Sequence, residues 1–133
     1  MSDVAPVVRH MLLCEDVRTD PDNAQKVNVF GLVSTIRAVP DDAFPVHHPE
    51  LCVYLQLTGG RGTGEVQIAA VQAELEQIVF TSSVHSITFE NDPLSVLGFV
   101  FRIEDCIFPH AGLYWIQFRV NDQVIAQQPL LLK

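Results

Sequence analysis

The sequence has few charged residues for a soluble protein. Charged residues make up 18% of the chain and hydrophobic residues 48%, whereas charged residues make up roughly 25% of a typical soluble domain. A small domain with this balance is expected to expose apolar surface, which is typical of a face covered by another protein. We therefore expect a homo-oligomer or a face that docks a protein partner.

Basic residues are especially scarce. The chain has 8 Lys and Arg against 16 Asp and Glu, which gives a formal net charge of −8. Proteins that bind nucleic acids use Lys and Arg to neutralise phosphates, and anionic membranes attract the same residues. We expect neither nucleic acid nor a membrane as a partner.

The sequence also lacks a long apolar run. Arg9 and His10 interrupt the first apolar stretch, Val7–Cys14, and no stretch approaches the roughly 18 apolar residues of a membrane span. We expect no signal peptide and no membrane-spanning segment.

Cysteine is sparse and occurs in an odd number. The three cysteines are Cys14, Cys52 and Cys106. Their wide separation does not predict a disulfide framework, which favours a cytoplasmic protein with reduced thiols.

Short motifs of catalysis and metal binding are missing. The chain has no Cys-x-x-Cys, His-x-His, His-Glu-x-x-His or Gly-x-Ser-x-Gly sequence. The glycine-rich segment Gly59–Gly64 lacks the Gly-Lys-Ser/Thr ending of a phosphate-binding loop, so a hairpin turn is favoured there. We predict a protein that is not an enzyme and that holds no cofactor or metal.

Short apolar runs separated by turn residues are what the sequence does have. Leu51, Val53, Leu55 and Leu57 alternate with more polar residues, the period-two pattern of a half-buried strand. The predicted strands are Val7–Asp16, Val27–Ala38, Leu51–Thr58, Glu65–Val71, Ile78–Ser82, Val84–Phe89, Leu97–Glu104, Gly112–Val120 and Gln123–Leu132. Many short strands with regular turns indicate an all-β antiparallel sandwich of about 7–9 strands, with residues 1–133 forming a single domain.

Residues 69–77 are ambiguous. Ile68, Val71, Leu75 and Ile78 also fit one face of a helix. We favour a strand, a turn at Glu74–Gln77 and a second strand, with a short helix as the alternative.

The segment His110–Ile116 resembles the penultimate strand of immunoglobulin-like domains, which carry Asp-x-Gly-x-Tyr-x-Cys. Gly112 and Tyr114 match this pattern, while His110 and Ile116 replace its Asp and Cys. The resemblance implies an immunoglobulin-like sandwich in which Tyr114 forms a tyrosine corner by hydrogen bonding to nearby backbone.

Most of the chain is also similar to a group of small uncharacterised bacterial proteins. The segments that carry this resemblance are Leu12–Asp16, Asn28–Leu32, Phe44-Pro45, His48-Pro49, Arg102–Cys106 and Phe108–Leu132. They consist mainly of core and turn residues, so the resemblance supports the fold and implies no activity.

Two acidic pairs each lie beside a cysteine at the end of an apolar strand. They are Glu15-Asp16 after Cys14 and Glu104-Asp105 before Cys106. If the two strand ends are neighbours, the four carboxylates form a weak cation or small-ligand site; otherwise each is a solvated strand end.

Two large aromatic residues, Trp115 and Tyr54, lie on the less apolar faces of their predicted strands. If those faces are exposed, both are candidate interface anchors, and otherwise a second sheet or a loop covers them. Pro129 cannot donate a backbone hydrogen bond, which marks the last strand, with Leu131, as a sheet edge or strand end. The favoured function is a non-enzymatic module that self-associates or docks a protein, and the alternative is a small-ligand or divalent-cation domain.

Overall fold

A computed structural model describes residues 4–38, 44–89, 92 and 94–133. Ten strands make up its regular structure. They are β1 (Val7–Asp20), β2 (Asn23–Leu32), β3 (Thr35–Ile36), β4 (Val46–Thr58), β5 (Thr63–Gln72), β6 (Gln77–Thr81), β7 (His85–Thr88), β8 (Val96–Phe108), β9 (Gly112–Val120) and β10 (Gln123–Leu132). The described residues include no helix long and apolar enough to cross a membrane.

The strands form two sheets, and the predicted β-sandwich is confirmed. The four-stranded sheet has the order β2-β1-β4-β8. The six-stranded sheet has the order β3-β10-β9-β5-β6, and β7 pairs with the first half of β5 while β6 pairs with the second half. All pairs except β3 with β10 are antiparallel.

The core lies between the two sheets and comes from alternate residues of the long strands. Its fully buried side chains include Leu51, Leu55, Phe108, Phe118 and Leu130. Aromatic rings meet edge-on across it, as in the pair Phe108–Tyr114, whose centroids are 5.1 Å apart. This is the packing that alternation in Leu51–Thr58 predicts.

Several strand boundaries differ from the sequence prediction. The segment predicted as one strand over Val27–Ala38 is two strands, because the chain leaves the four-stranded sheet after Leu32 and joins the other sheet at Thr35. β1 runs to Asp20 instead of Asp16, and β4 begins at Val46 instead of Leu51. β1 ends where the turn residues Pro21-Asp22 begin, while the extra length of β4 comes from its pairing with β8, in which Val46 lies opposite Phe108.

The ambiguous segment is resolved as a hairpin. β5 ends at Gln72, residues 73–76 form a turn, and β6 begins at Gln77. Glu76 has a φ of 52°, the left-handed conformation that closes the turn. The predicted strand, turn and strand are confirmed.

The β1–β2 hairpin is bent. β1 pairs with β4 only up to Cys14, which lies opposite Cys52, whereas its pairing with β2 continues to Asp20. Gly31 has a φ of +66°, and a Cβ there would lie 2.8 Å from the Glu15 carboxylate. The bend brings Val17, Val27 and Val29 against the outer face of the four-stranded sheet, in a second apolar cluster with Cys52 and Tyr54.

Tyr114 is fully buried at the start of β9. Its hydroxyl donates a hydrogen bond to the His110 carbonyl at 2.7 Å and accepts one from the His110 amide at 3.2 Å. These are the backbone contacts predicted for a tyrosine corner. Gly112, between the two residues, has a φ of +128°, which favours glycine.

Candidate functional site

A row of apolar side chains crosses the outer face of the six-stranded sheet. Val71 on β5 lies opposite Ile78 on β6 and opposite Trp115 on β9, and Pro129 on β10 lies opposite Trp115 on its other side. Directly opposite residues in antiparallel strands have Cβ atoms about 4.5–5.5 Å apart. The four side chains therefore form one continuous row over four strands.

A second, shorter row lies beside the first. Leu113 on β9 lies opposite Leu131 on β10. We call the surface made by the two rows the Trp115 patch. Its members are Val71, Ile78, Leu113, Trp115, Pro129 and Leu131.

The Trp115 patch is accessible to solvent. Ile78 is 50% exposed and Leu113 37% exposed, while Trp115 and Val71 are half-buried by their neighbours. Contiguous apolar surface of this kind on a soluble domain marks an interaction site more often than scattered apolar residues do.

Uncharged amides border the patch along the strands. The next row along the strands contains Gln127 opposite Gln117, whose amide nitrogen donates to the Gln127 oxygen at 3.2 Å. The charged neighbour, Arg119, donates two hydrogen bonds to Gln117 Oε1 at 2.7 and 3.2 Å. The positive charge of Arg119 is therefore hydrogen-bonded to the Gln117 amide, which in turn is hydrogen-bonded to Gln127.

Three of the four predicted interface residues lie together in the patch, namely Trp115, Pro129 and Leu131. Tyr54, the fourth, does not, and its prediction as an exposed anchor is wrong. Tyr54 lies on the outer face of the other sheet and is 5% exposed, because the bent β1–β2 hairpin covers it. Its hydroxyl accepts a hydrogen bond from Gln56 Nε2 at 2.7 Å.

Sequence reasoning missed Val71, Ile78 and Leu113. Val71 and Ile78 belong to strands that were predicted, but only the register places them beside Trp115. Leu113 lies two residues before Trp115 on β9, so the alternation of the strand already places it on the same face. The sequence also does not show which face the Ile78 side chain occupies. A bulge in β6 opposite Ala70 and Val71 interrupts the alternation of inward and outward side chains along that strand.

β10 has an open edge over most of its length, as Pro129 predicts. Its β9 side is fully paired, whereas on its other side β3 pairs only with Leu131 and Leu132. Over Gln123–Leu130 no strand among the described residues pairs with that side. The Gln128 side chain donates there to the Met11 carbonyl at 2.9 Å, which ties this edge to β1.

The four predicted carboxylates do not form a cation site, which corrects the prediction for Glu15, Asp16, Glu104 and Asp105. β4 lies between β1 and β8 in the sheet, and the bend that brings Asp16 near β8 sets it against Arg102, whose NH1 atom lies 3.0 Å from Asp16 Oδ1. Among the residues that the structure describes, no group of three or more His, Cys, Asp and Glu side chains is placed to hold a metal ion.

Arg102 occupies the position that a cation would need. Its NH1 atom lies 3.0 Å from Asp16 Oδ1 and 3.4 Å from Glu50 Oε1, and its NH2 atom donates to the Val17 carbonyl at 2.6 Å. Hydrogen bonds from Arg18 and Arg102 lower the pKa of Asp16 below its ordinary value. The positive charges of Arg18 and Arg102 therefore balance the negative charges of Asp16 and Glu50. The contacts of Arg102 also attach the bent hairpin to β8.

Two stacked antiparallel sheets with an exposed apolar outer face place the chain in the class of β-sandwich proteins. The chain belongs to a family of unknown function, DUF6941, whose sequence profile matches residues 9–133. The comparisons with curated proteins and with solved structures both find no match.

Proposed function

We propose that this protein is a non-enzymatic interaction module that self-associates through the Trp115 patch. The observation that carries the proposal is the continuous apolar row of Ile78, Val71, Trp115 and Pro129 across four strands. A two-fold contact brings the same patch of both copies together, so one apolar row covers the other.

The charge distribution favours a second copy as the occupant. The chain carries a formal net charge of −8, so two copies repel each other over most of their surfaces. The patch and its Gln117–Gln127 border carry no acidic side chain, and Arg119 is hydrogen-bonded to Gln117. Contact centred on this row keeps most carboxylates apart, and the exposed Glu74 and Glu76, in the turn between Val71 and Ile78, lie at its margin.

Trp115 lies at the centre of the row and is expected to contribute most to association. Residues that contribute most to binding are enriched in tryptophan and lie near the centre of an interface. Truncation of such a residue costs about 2 kcal/mol or more, which weakens association by roughly 30-fold.

Sedimentation velocity over a range of micromolar concentrations tests the proposal. We expect the wild type to sediment as a dimer that dissociates on dilution, and Trp115→Ser to sediment as a monomer. Leu32→Ser is the matched control, because Leu32 is 69% exposed on β2 of the other sheet. It should dimerise like the wild type.

Two results would overturn the proposal. One is a wild-type protein that stays monomeric at the highest concentration. The other is a dimer that Trp115→Ser leaves intact. Circular dichroism of both variants shows whether they retain the β fold.

The immunoglobulin-like subclass and a cytoplasmic location are further parts of the proposal. The Tyr114 hydrogen bonds to His110 support the subclass. The free thiols of Cys14, Cys52 and Cys106 support a reducing compartment. Fractionation of the source cells, with detection of the protein in the soluble cytoplasmic fraction, tests the location.

A further inference from the structure

The fold brings together two cysteines that are far apart in the sequence. Cys14 on β1 lies directly opposite Cys52 on β4. Both are fully buried in the apolar cluster on the outer face of the four-stranded sheet, with Val17 and Tyr54. This cluster is on the opposite side of the sandwich from the Trp115 patch.

The backbone geometry at this pair suits a disulfide. Opposite residues of antiparallel strands have Cα atoms about 4.5 or 5.5 Å apart, depending on the type of pair. Disulfides span Cα separations of about 4.4–6.8 Å, so either type of pair is within range. The two strands need no sliding or separation for the bond to form.

The two thiols also point toward the same region. The Cys14 Sγ atom lies 3.7 Å from the Cys52 carbonyl oxygen, and the Cys52 Sγ atom lies 3.5 Å from the carbonyl oxygen of Glu15. The Cys14 sulfur therefore lies beside the backbone of Cys52 on β4, and the Cys52 sulfur lies beside the backbone of Glu15, the residue after Cys14 on β1.

We propose that Cys14 and Cys52 form a reversible cross-strand disulfide when the protein meets a low-molecular-weight disulfide such as glutathione disulfide. One thiolate attacks the oxidant, breaks its S–S bond and releases one glutathione. The second protein thiolate then displaces the other glutathione from the mixed disulfide. Two protein thiols are oxidised, one glutathione disulfide is reduced to two thiols, and the two protons pass to the leaving thiolates.

The surroundings make this reaction slow in the native state. Burial raises the pKa of both thiols, that of Cys52 to about 11, against an opposing effect of the Arg102 guanidinium. Arg102 NH1 lies 3.4 Å from Cys52 Sγ and its NH2 holds Val17 of the covering hairpin. The oxidant therefore reaches the pair only when the bent half of the β1–β2 hairpin lifts.

Cys106 supplies a control within the same chain. It is also buried, and burial raises its pKa to about 11, but it lies in the core between the sheets. Its Sγ donates to the Ile103 carbonyl at 3.4 Å, and the residue opposite it on β4 is His48. It shares the burial of the other two thiols without sharing a cysteine neighbour.

Intact mass spectrometry of the oxidised wild-type protein tests the proposal. The folded protein is incubated overnight with glutathione disulfide, unfolded in denaturant and alkylated with iodoacetamide. We expect a chain that has lost two hydrogens and carries one alkyl group, on Cys106, with Cys14 and Cys52 linked in the peptide map. Dithiothreitol should restore three alkylated cysteines, and the linked protein should have a higher Tm because the cross-link constrains the unfolded chain.

Cys52→Ser is the matched variant, and in it Cys14 and Cys106 should both remain open to alkylation or glutathione addition without a protein disulfide. The proposal fails if all three wild-type cysteines are alkylated after the incubation. It also fails if the linkage includes Cys106 or if Cys14 and Cys52 carry separate glutathione adducts. The wild-type result decides the matter even if the variant does not fold.

Discussion

At the scale of single residues, Arg102 connects three strands through one guanidinium. It contacts Asp16 and Val17 of β1 and Glu50 of β4 from its position on β8. Charge-assisted hydrogen bonds of this kind are stronger than neutral ones. The acidic residue Asp16, predicted to bind a cation, instead attaches the β1–β2 hairpin to Arg102 of β8.

Asp16→Asn should reduce the acid sensitivity of the protein. The pKa of Asp16 is lower in the folded protein than its ordinary value of 3.8, because Arg18 and Arg102 hydrogen-bond to the charged form. A depressed folded pKa contributes stability above the unfolded pKa, and that stability is lost as the pH falls through the folded pKa.

Tm measured from neutral pH down to about pH 2 tests this sign. The variant should be less stable than the wild type near neutrality, and the difference should shrink below the ordinary pKa of aspartate. A difference that stays constant with pH would show that the charge of Asp16 contributes nothing.

Tyr114→Phe should destabilise the protein by about 1–3 kcal/mol. The change removes a buried hydroxyl that both donates to and accepts from the backbone of His110, so two hydrogen bonds of about 0.5–1.5 kcal/mol each are lost. Urea unfolding measures the loss.

Tyr54→Phe is the control for this prediction. The Tyr54 hydroxyl takes part in a hydrogen bond with Gln56 Nε2, whereas the Tyr114 hydroxyl takes part in two. The smaller loss should therefore occur at Tyr54, and equal losses at the two positions would argue against a special role for the corner.

At the scale of secondary-structure elements, the bend in the β1–β2 hairpin decides what the outer face of the four-stranded sheet exposes. It covers Tyr54 and Cys52, and it depends on the left-handed conformation of Gly31. A Cβ at Gly31 would lie 2.8 Å from Glu15 Oε2, while the register shift of the β1–β2 pair lies elsewhere, between Thr19 and Asp20.

Gly31→Ala should cost about 1–2 kcal/mol of unfolding free energy, since an L-residue is strained at positive φ. The Glu15 atoms that a Cβ would meet belong to an exposed, flexible side chain, so steric overlap should add little. Urea unfolding of Gly31→Ala in the wild-type and Glu15→Ala backgrounds separates the two effects. A cost that disappears in the Glu15→Ala background would assign it to the overlap instead of the backbone.

The long edge strand β8 differs from the Trp115 patch in charge and in backbone regularity. β8 is an edge of the four-stranded sheet, and it carries Arg102, Glu104 and Asp105, with Asp105 at a φ of 53°. Charges and an irregular backbone on an edge discourage pairing with another sheet. This difference is why we assign association to the apolar face.

Local patterns predicted most of the elements but not their relations. Alternation in Leu51–Thr58 and the turn before Ile78 could be recognised because the signal lies within a few residues. The division of Val27–Ala38, the burial of Tyr54 and the meeting of Cys14 with Cys52 could not, since each depends on segments distant in the chain. The same limit hid Val71 and Ile78 from the candidate interface.

At the scale of the whole molecule, the composition and the structure both indicate that acidic and apolar side chains are unevenly distributed over the surface. The acidic residues give the chain its net charge of −8, while the Trp115 patch concentrates apolar side chains on one outer face. The low charge content predicted such a face without locating it. The fold locates it by aligning strands β6, β5, β9 and β10.

The most direct test of self-association is the fluorescence of Trp115 as the protein is diluted. Trp115 is the only tryptophan in the chain, so the emission reports on this patch alone. We predict that the emission maximum shifts to longer wavelength on dilution from high micromolar to nanomolar concentration, as the indole passes from a buried contact to water. An emission maximum that stays constant over this range, in a protein shown by sedimentation to dissociate, would contradict the account.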